Sequence, residues 1–190
     1  MKAPRGYEKA RPYTGESRKL TPGGHIVRIR NVTDEFDQNG SEFLMVTFDI
    51  EEGGEYDGFF NEKFKTNSQY NVGAAWPGSI KVYVYDRESG ETSGRFKGFI
   101  QAIEASNGGY NFAATNYNEH TLQGKLVGMV FGEDEYNVNG NRGWTVRARY
   151  AVPVARVREG IAPPRRRPLQ TNEQPAEEVP VDDLYNQLPF

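Results

Sequence analysis

One short stretch, IKVYVYDR (80–87), alternates a cation, two rings and a second cation: Lys81, Tyr83, Tyr85 and Arg87. A period of two sets these four on one face of a β-strand and sends Ile80, Val82 and Val84 to the other. Rings set between cations suit a single nucleic-acid strand, whose unstacked bases need π-faces and whose phosphates need positive charge. Stacking contributes ~1–3 kcal/mol per base and tolerates any sequence. Tyr and Lys are also common on ordinary exposed strands, so the stretch gains meaning from its company. Arg28 and Arg30 lie on one face of an earlier strand, Arg147 and Arg149 on one face of a later one, and Phe43 opens the strand between. The segment YDGFFNEKFK (56–65) adds Phe59, Lys63 and Lys65, although some of Phe59, Phe60 and Phe64 must fill the core.

Other chemistries have less support. The chain has no cysteine, which removes disulfides, thiol nucleophiles and thiolate metal sites together. Glu133, Asp134 and Glu135 are adjacent, but consecutive side chains on an extended backbone diverge, and no second acidic pair at metal-ligand spacing accompanies them. His25 and His120 stand alone. No GxxxxGK[ST], GxSxG or GxGxxG occurs, so neither a phosphate loop nor a nucleophile elbow is present. We expect no enzyme, no cofactor and no metal.

The elements that must position these residues follow from pattern. GGHIVRIRNVT (23–33) and SEFLMVTFDIEEG (41–53) alternate as strands, and Asp37 to Gly40 supplies the turn of a hairpin. SIKVYVYDR (79–87) is a third strand. GRFKGFIQAIEASNGG (94–109) spaces Phe96, Phe99, Ile100 and Ile103 as a helix and stops at Asn107-Gly108-Gly109. KLVGMVFGEDEY (125–136) and GWTVRARYAVPVARV (143–157) form a second hairpin around NVNGNRG, with Trp144, Val146, Ala148 and Tyr150 expected on one face. The order β-β-β-α-β-β, with a loop or short helix inserted from 56 to 77, predicts a mainly β protein: a five-stranded OB-fold barrel, whose closure would also remove exposed edges.

Composition sets the boundaries. An apolar fraction of 36% is low for a chain packed throughout. Residues 1–20 read as a flexible basic arm, 21–160 as the folded domain, and 161–190, rich in proline, as a disordered acidic tail. Residues 168–190 carry five acidic groups and no Lys or Arg, so a net charge of -3 conceals a body with 23 basic against 21 acidic groups. No apolar run approaches the ~20 residues of a membrane span, and residues 1–20 are basic and lack the apolar h-region of a secretory signal. A soluble cytoplasmic protein is expected.

The tail, ending VDDLYNQLPF, holds two carboxylates and then apolar groups. An acidic segment beside a cationic groove competes with phosphates at a tethered concentration of ~mM, and a terminal phenylalanine offers a ring and a carboxylate to a partner. The tail resembles that of bacterial single-stranded DNA-binding proteins, with Asp182, Asp183, Leu188, Pro189 and Phe190 in the matching roles. Over about residues 20–160 the body is similar to phage-encoded single-stranded DNA-binding proteins of Gram-positive hosts, through FKGFIQAIEASN (96–107), LQGKLVGMVFGEDEY (122–136) and VARVREG (154–160). The resemblance implies an OB-fold that binds single-stranded DNA in phage or prophage replication and recombination and recruits replication or recombination proteins through its tail. A homo-oligomer is compatible with it. The alternatives are an adaptor whose barrel binds protein and, with least support, a metal-dependent nuclease using Glu133, Asp134 and Glu135.

Overall fold

A computed structural model describes residues 18–169. The arm up to residue 17 and the tail residues Asp182, Asp183, Leu188, Pro189 and Phe190 lie outside the described residues. Five strands, β1 (Gly23–Phe36), β2 (Glu42–Ile50), β3 (Ser79–Tyr83), β4 (Leu126–Val138) and β5 (Asn141–Val152), form one antiparallel sheet in the order β3-β2-β1-β4-β5. Among the described residues three α-helices accompany it, α1 (Phe59–Tyr70), α2 (Gly94–Ser106) and α3 (Val154–Glu159), with two short 3-10 helices between α2 and β4. The protein is therefore mainly β, as its pattern predicts. The expected closure is absent from the hydrogen-bond pattern: β3 and β5 are the two edges of the sheet, and no ladder joins them.

The inner face follows from the alternation. Val27, Ile29, Val46, Phe48, Val127, Met129 and Phe131 are buried in one core, to which α2 contributes Phe99, Ile100 and Ile103 and α1 contributes Phe59 and Phe60. The start of α2 is tied to the end of β3 by Ser93, whose hydroxyl donates to the Tyr83 carbonyl at 2.5 Å and accepts from the Phe96 amide at 3.1 Å. Its end is clamped to β4 by Asn107, which donates to the Leu126 carbonyl at 2.8 Å and accepts from the Leu126 amide at 3.1 Å. The β4–β5 turn uses Asn139 and Gly140, both at positive φ (52° and 83°), the geometry that matches the twist of a two-residue hairpin.

The inserted segment is a helix whose first amides are capped from outside. Asp49 on β2 accepts from the Phe60 amide at 2.9 Å and the Asn61 amide at 3.2 Å. Burial pushes this carboxyl above the usual carboxylate range, against the pull of those amides and of Arg30. Asp49→Ala should lower stability by about 1–2 kcal/mol, the cost of a lost cap, and Asp49→Asn by less, as read from urea unfolding.

Three expectations change. The fifth strand ends at Val152, because Pro153 cannot donate to a ladder, and Val154–Glu159 is helix α3. The third strand ends at Tyr83, because Asp86 accepts from the amides of Glu88 and Ser89 and turns the chain. Finally, residues 161–169 are not free tail. Arg167 donates its amide to the Glu133 carbonyl and accepts from the Glu135 amide, both at 2.9 Å, so this stretch runs parallel to β4 where β4 outruns β1. Gly132 allows the approach: a Cβ there would stand 2.8 Å from Pro164 Cγ and 2.9 Å from Arg149 Nε.

Candidate nucleic-acid interface

Between the two sheet edges lies a cleft of about 480 Å³. Ser79 to Lys81 form one wall and Val146 to Arg149 the other, while the ring cluster of Phe48, Phe60 and Phe131 forms the floor. Five cationic residues line it, Lys81, Arg95, Arg147, Arg149 and Arg167, against one acidic residue, Asp134. That carboxylate is already engaged: Arg149 Nη2 sits 2.5 Å from Asp134 Oδ1. The contact is between charges rather than an aligned hydrogen bond, and the aligned bond of Nη2 goes to the Glu133 carbonyl at 2.9 Å. Lys81, Arg95, Arg147 and Arg167 have no carboxylate partner among the described residues.

The outer face of β2 and β3 continues from this cleft. Lys81 Nζ lies 4.4 Å from the Phe43 ring centroid, the Tyr83 ring is 5.6 Å from Phe43, and the Arg87 guanidinium stands 5.7 Å from Tyr83. Cations and rings thus alternate through space as they do in sequence, within cation–π range. Phe43 is only 2% exposed, so it supports Tyr83 and Lys81 rather than meeting a base itself. Arg87 also binds Asp37 at 2.9 Å; the Ser41 amide above all, with the Asn39 amide and Arg87 itself, holds that carboxyl below the usual range.

Other residues chosen from sequence are placed elsewhere. Tyr85 leaves the Lys81–Tyr83 face: held by a single bridge to Thr92, it lines a second cavity on the α2 side. Phe59 is 6% exposed and belongs to the core. Lys63 and Lys65 are exposed on α1, but side chains two apart on a helix do not face together. Arg28 is bound to Glu51 and to the Gly124 carbonyl, and Glu51 raises its pKa further. Arg30 sits 4.1 Å from the Trp76 ring centroid and 3.9 Å from Asp49. Arg149, with a side chain 9% exposed, holds β4 rather than facing solvent.

Arg95 and Arg167 escaped the sequence reading. Arg95 lies in the first turn of a helix recognised only by its apolar face, and Arg167 ends the run Arg165-Arg166-Arg167 that separates the domain from the acidic segment. That run was the available signal. The three adjacent carboxylates disperse as expected: Glu133 to Arg166 at 2.5 Å, Asp134 to Arg149, and Glu135 to the Leu169 amide at 3.1 Å. His25 is buried between Tyr56 and Phe131, with Nε2 3.0 Å from the Thr21 carbonyl and Nδ1 3.2 Å from Glu52. No helix among the described residues is long and apolar enough to cross a membrane. No family model matches the chain, and no curated protein matches it.

Proposed function

We propose that this protein binds single-stranded DNA without sequence preference, with phosphates along the β3–β5 cleft and bases against the outer face of β2 and β3. The observation that carries the reading is the charge imbalance of the cleft: its one carboxylate is held by Arg149, which leaves Lys81, Arg95, Arg147 and Arg167 for a polyanion. Tyr83, supported by Phe43 and flanked by Lys81 and Arg87, supplies a stacking platform beside it. In this reading the sheet is a partly open OB-fold barrel whose open seam is the binding groove. The protein serves phage or prophage replication and recombination as a binding protein, not an enzyme. The segment containing Asp182, Asp183, Leu188, Pro189 and Phe190 recruits partner proteins. Those last assignments rest on the resemblance of body and tail.

Fluorescence titration with poly(dT) at several salt concentrations tests the core claim. Four available cations predict a log–log salt slope of about -2.8, at ~0.7 per neutralised phosphate. Affinity for duplex of equal length should be lower, because the stacking contribution is absent. A slope near zero would overturn the proposal.

A further inference from the structure

A second cavity, of about 630 Å³, opens at the far end of the inner face, between the tips of β1–β3 and helix α2. Its floor is apolar, made by Leu44, Ile100 and Phe112. Its rim has the opposite sign to the strand cleft. Asp34 and Glu42 stand on the core-facing side of neighbouring strands, Asp34 opposite Leu44 and Glu42 opposite Phe36. Glu104 and Glu119 line the other side, and Lys97 is the one cation among the lining residues. Glu104 accepts from the Phe112 amide at 2.8 Å and Glu119 meets His120 at 3.3 Å. Neither Asp34 nor Glu42 has a cationic partner among the described residues.

Two neighbouring carboxylates without a cation are unfavourable in the free protein. Burial, and after it the charge of Asp34, raises the Glu42 carboxyl above its ordinary range. Rings complete the site. Tyr85 lines it from the β3 side, and Tyr117, 67% exposed, is held at the mouth by a backbone at φ 57°, a conformation aromatic residues rarely adopt. Its volume falls in the range of ligand pockets, and carboxylates at the rim repel a phosphate backbone.

We infer that this cavity docks an arginine- or lysine-bearing peptide segment of a partner protein, its methylene stem on the apolar floor and its cation between Asp34 and Glu42. Charge complementarity selects the occupant: a long cationic side chain is the group that satisfies an apolar floor and an acidic, aromatic rim at once. The site is independent of strand binding, since its residues are not those of the β3–β5 cleft.

The test uses the full chain and two blocked octapeptides, one alternating arginine with leucine and one with citrulline in place of arginine, titrated while backbone amide shifts are recorded. The arginine peptide should shift residues around Glu42, Phe112 and Tyr117, and the citrulline peptide should bind at least about tenfold more weakly, the factor equivalent to 1.4 kcal/mol. The double variant Asp34→Asn with Glu42→Gln should lose the arginine preference and keep its affinity for poly(dT). Folding does not confound that variant. A carboxyl whose folded pKa is raised costs stability as pH rises through the carboxylate range, so Glu42→Gln should raise the melting temperature at neutral pH and lose that advantage in acid. Equal binding of the two peptides, or shifts confined to the β3–β5 cleft, would overturn the inference. So would tighter binding of a synthetic peptide of residues 1–17, which would make the chain's own arm the occupant.

Discussion

Glutamate at Arg147 should weaken poly(dT) binding by about tenfold and reduce the salt slope by ~0.7, with no change in the unfolding midpoint. Alanine at Arg149 should do the reverse. The two arginines are two residues apart on β5 and share one face by simple alternation, yet their surroundings differ. Arg147 is exposed on the cleft wall without a carboxylate partner among the described residues. Arg149 is the extra residue of a β-bulge, between Ala148 opposite Phe131 and Tyr150 opposite Val130. A bulge re-aims its side chain, and this one turns toward Asp134 and the Glu133 carbonyl. Removing it strands a largely buried carboxylate, a change that costs ~3–5 kcal/mol when the partner is fully enclosed. Asp134 keeps a side-chain exposure of 21%, which places Arg149→Ala near the lower end. Adding Lys81→Glu to Arg147→Glu should lower the slope by ~1.4 in all. Poly(dT) titrations and urea unfolding of the same samples separate the two roles. Equal losses of affinity in the Arg147 and Arg149 variants, with slopes unchanged, would remove the cleft from consideration as the phosphate path.

That contrast also marks where the sequence stops being legible. Period-two alternation identified every strand and the inner-face residues, because inner positions such as Val27, Ile29, Val46 and Phe48 obey burial alone. It failed where the backbone inserts one extra residue, and both bulges fall on arginines: Arg30 between Ile29 and Asn31, and Arg149 on β5. Beyond the second bulge the faces exchange, so Tyr150, expected beside Val146 and Ala148, is 46% exposed. Alternation reports direction but not depth, and this explains Phe43: its face was right, and its ring is covered by the residues it was expected to accompany. Proline at 153 carried its own stop signal, which the apolar run around it obscured. The stretch 161–169 had no periodic signal, because the Arg167 backbone, the Arg166–Glu133 ion pair and the Leu169 amide fix it to β4; its one trace in the sequence is the run Arg165-Arg166-Arg167.

The largest loss of stability should come from Phe131→Ala. Phe131 is fully buried where β4 leaves β1 and the segment around Arg167 takes its place beside β4. Its ring meets His25 at 5.6 Å, Phe48 at 6.1 Å and, stacked, Phe60 at 6.1 Å. Truncating a buried phenylalanine costs ~3–5 kcal/mol, a large share of the ~5–15 kcal/mol that separates a typical domain from its unfolded state. Here the loss should lie near 3 kcal/mol, because the ring forms the floor of the cleft and water can enter the space it vacates, whereas in a sealed cavity an empty void adds its own cost. The urea midpoint should fall with the m-value unchanged. Phe131→Leu, which keeps most of the volume, should cost under ~1.5 kcal/mol, and it is the variant that connects the floor to function. In the proposed binding mode, with phosphates at the cations of the wall and bases at Tyr83 on the outer face, the leucine variant should keep both the poly(dT) affinity and the salt slope. A lower affinity at an unchanged slope would mean instead that a base enters the cleft and stacks on its floor, which would move the base-binding surface from the outer face of β3 into the seam between β3 and β5.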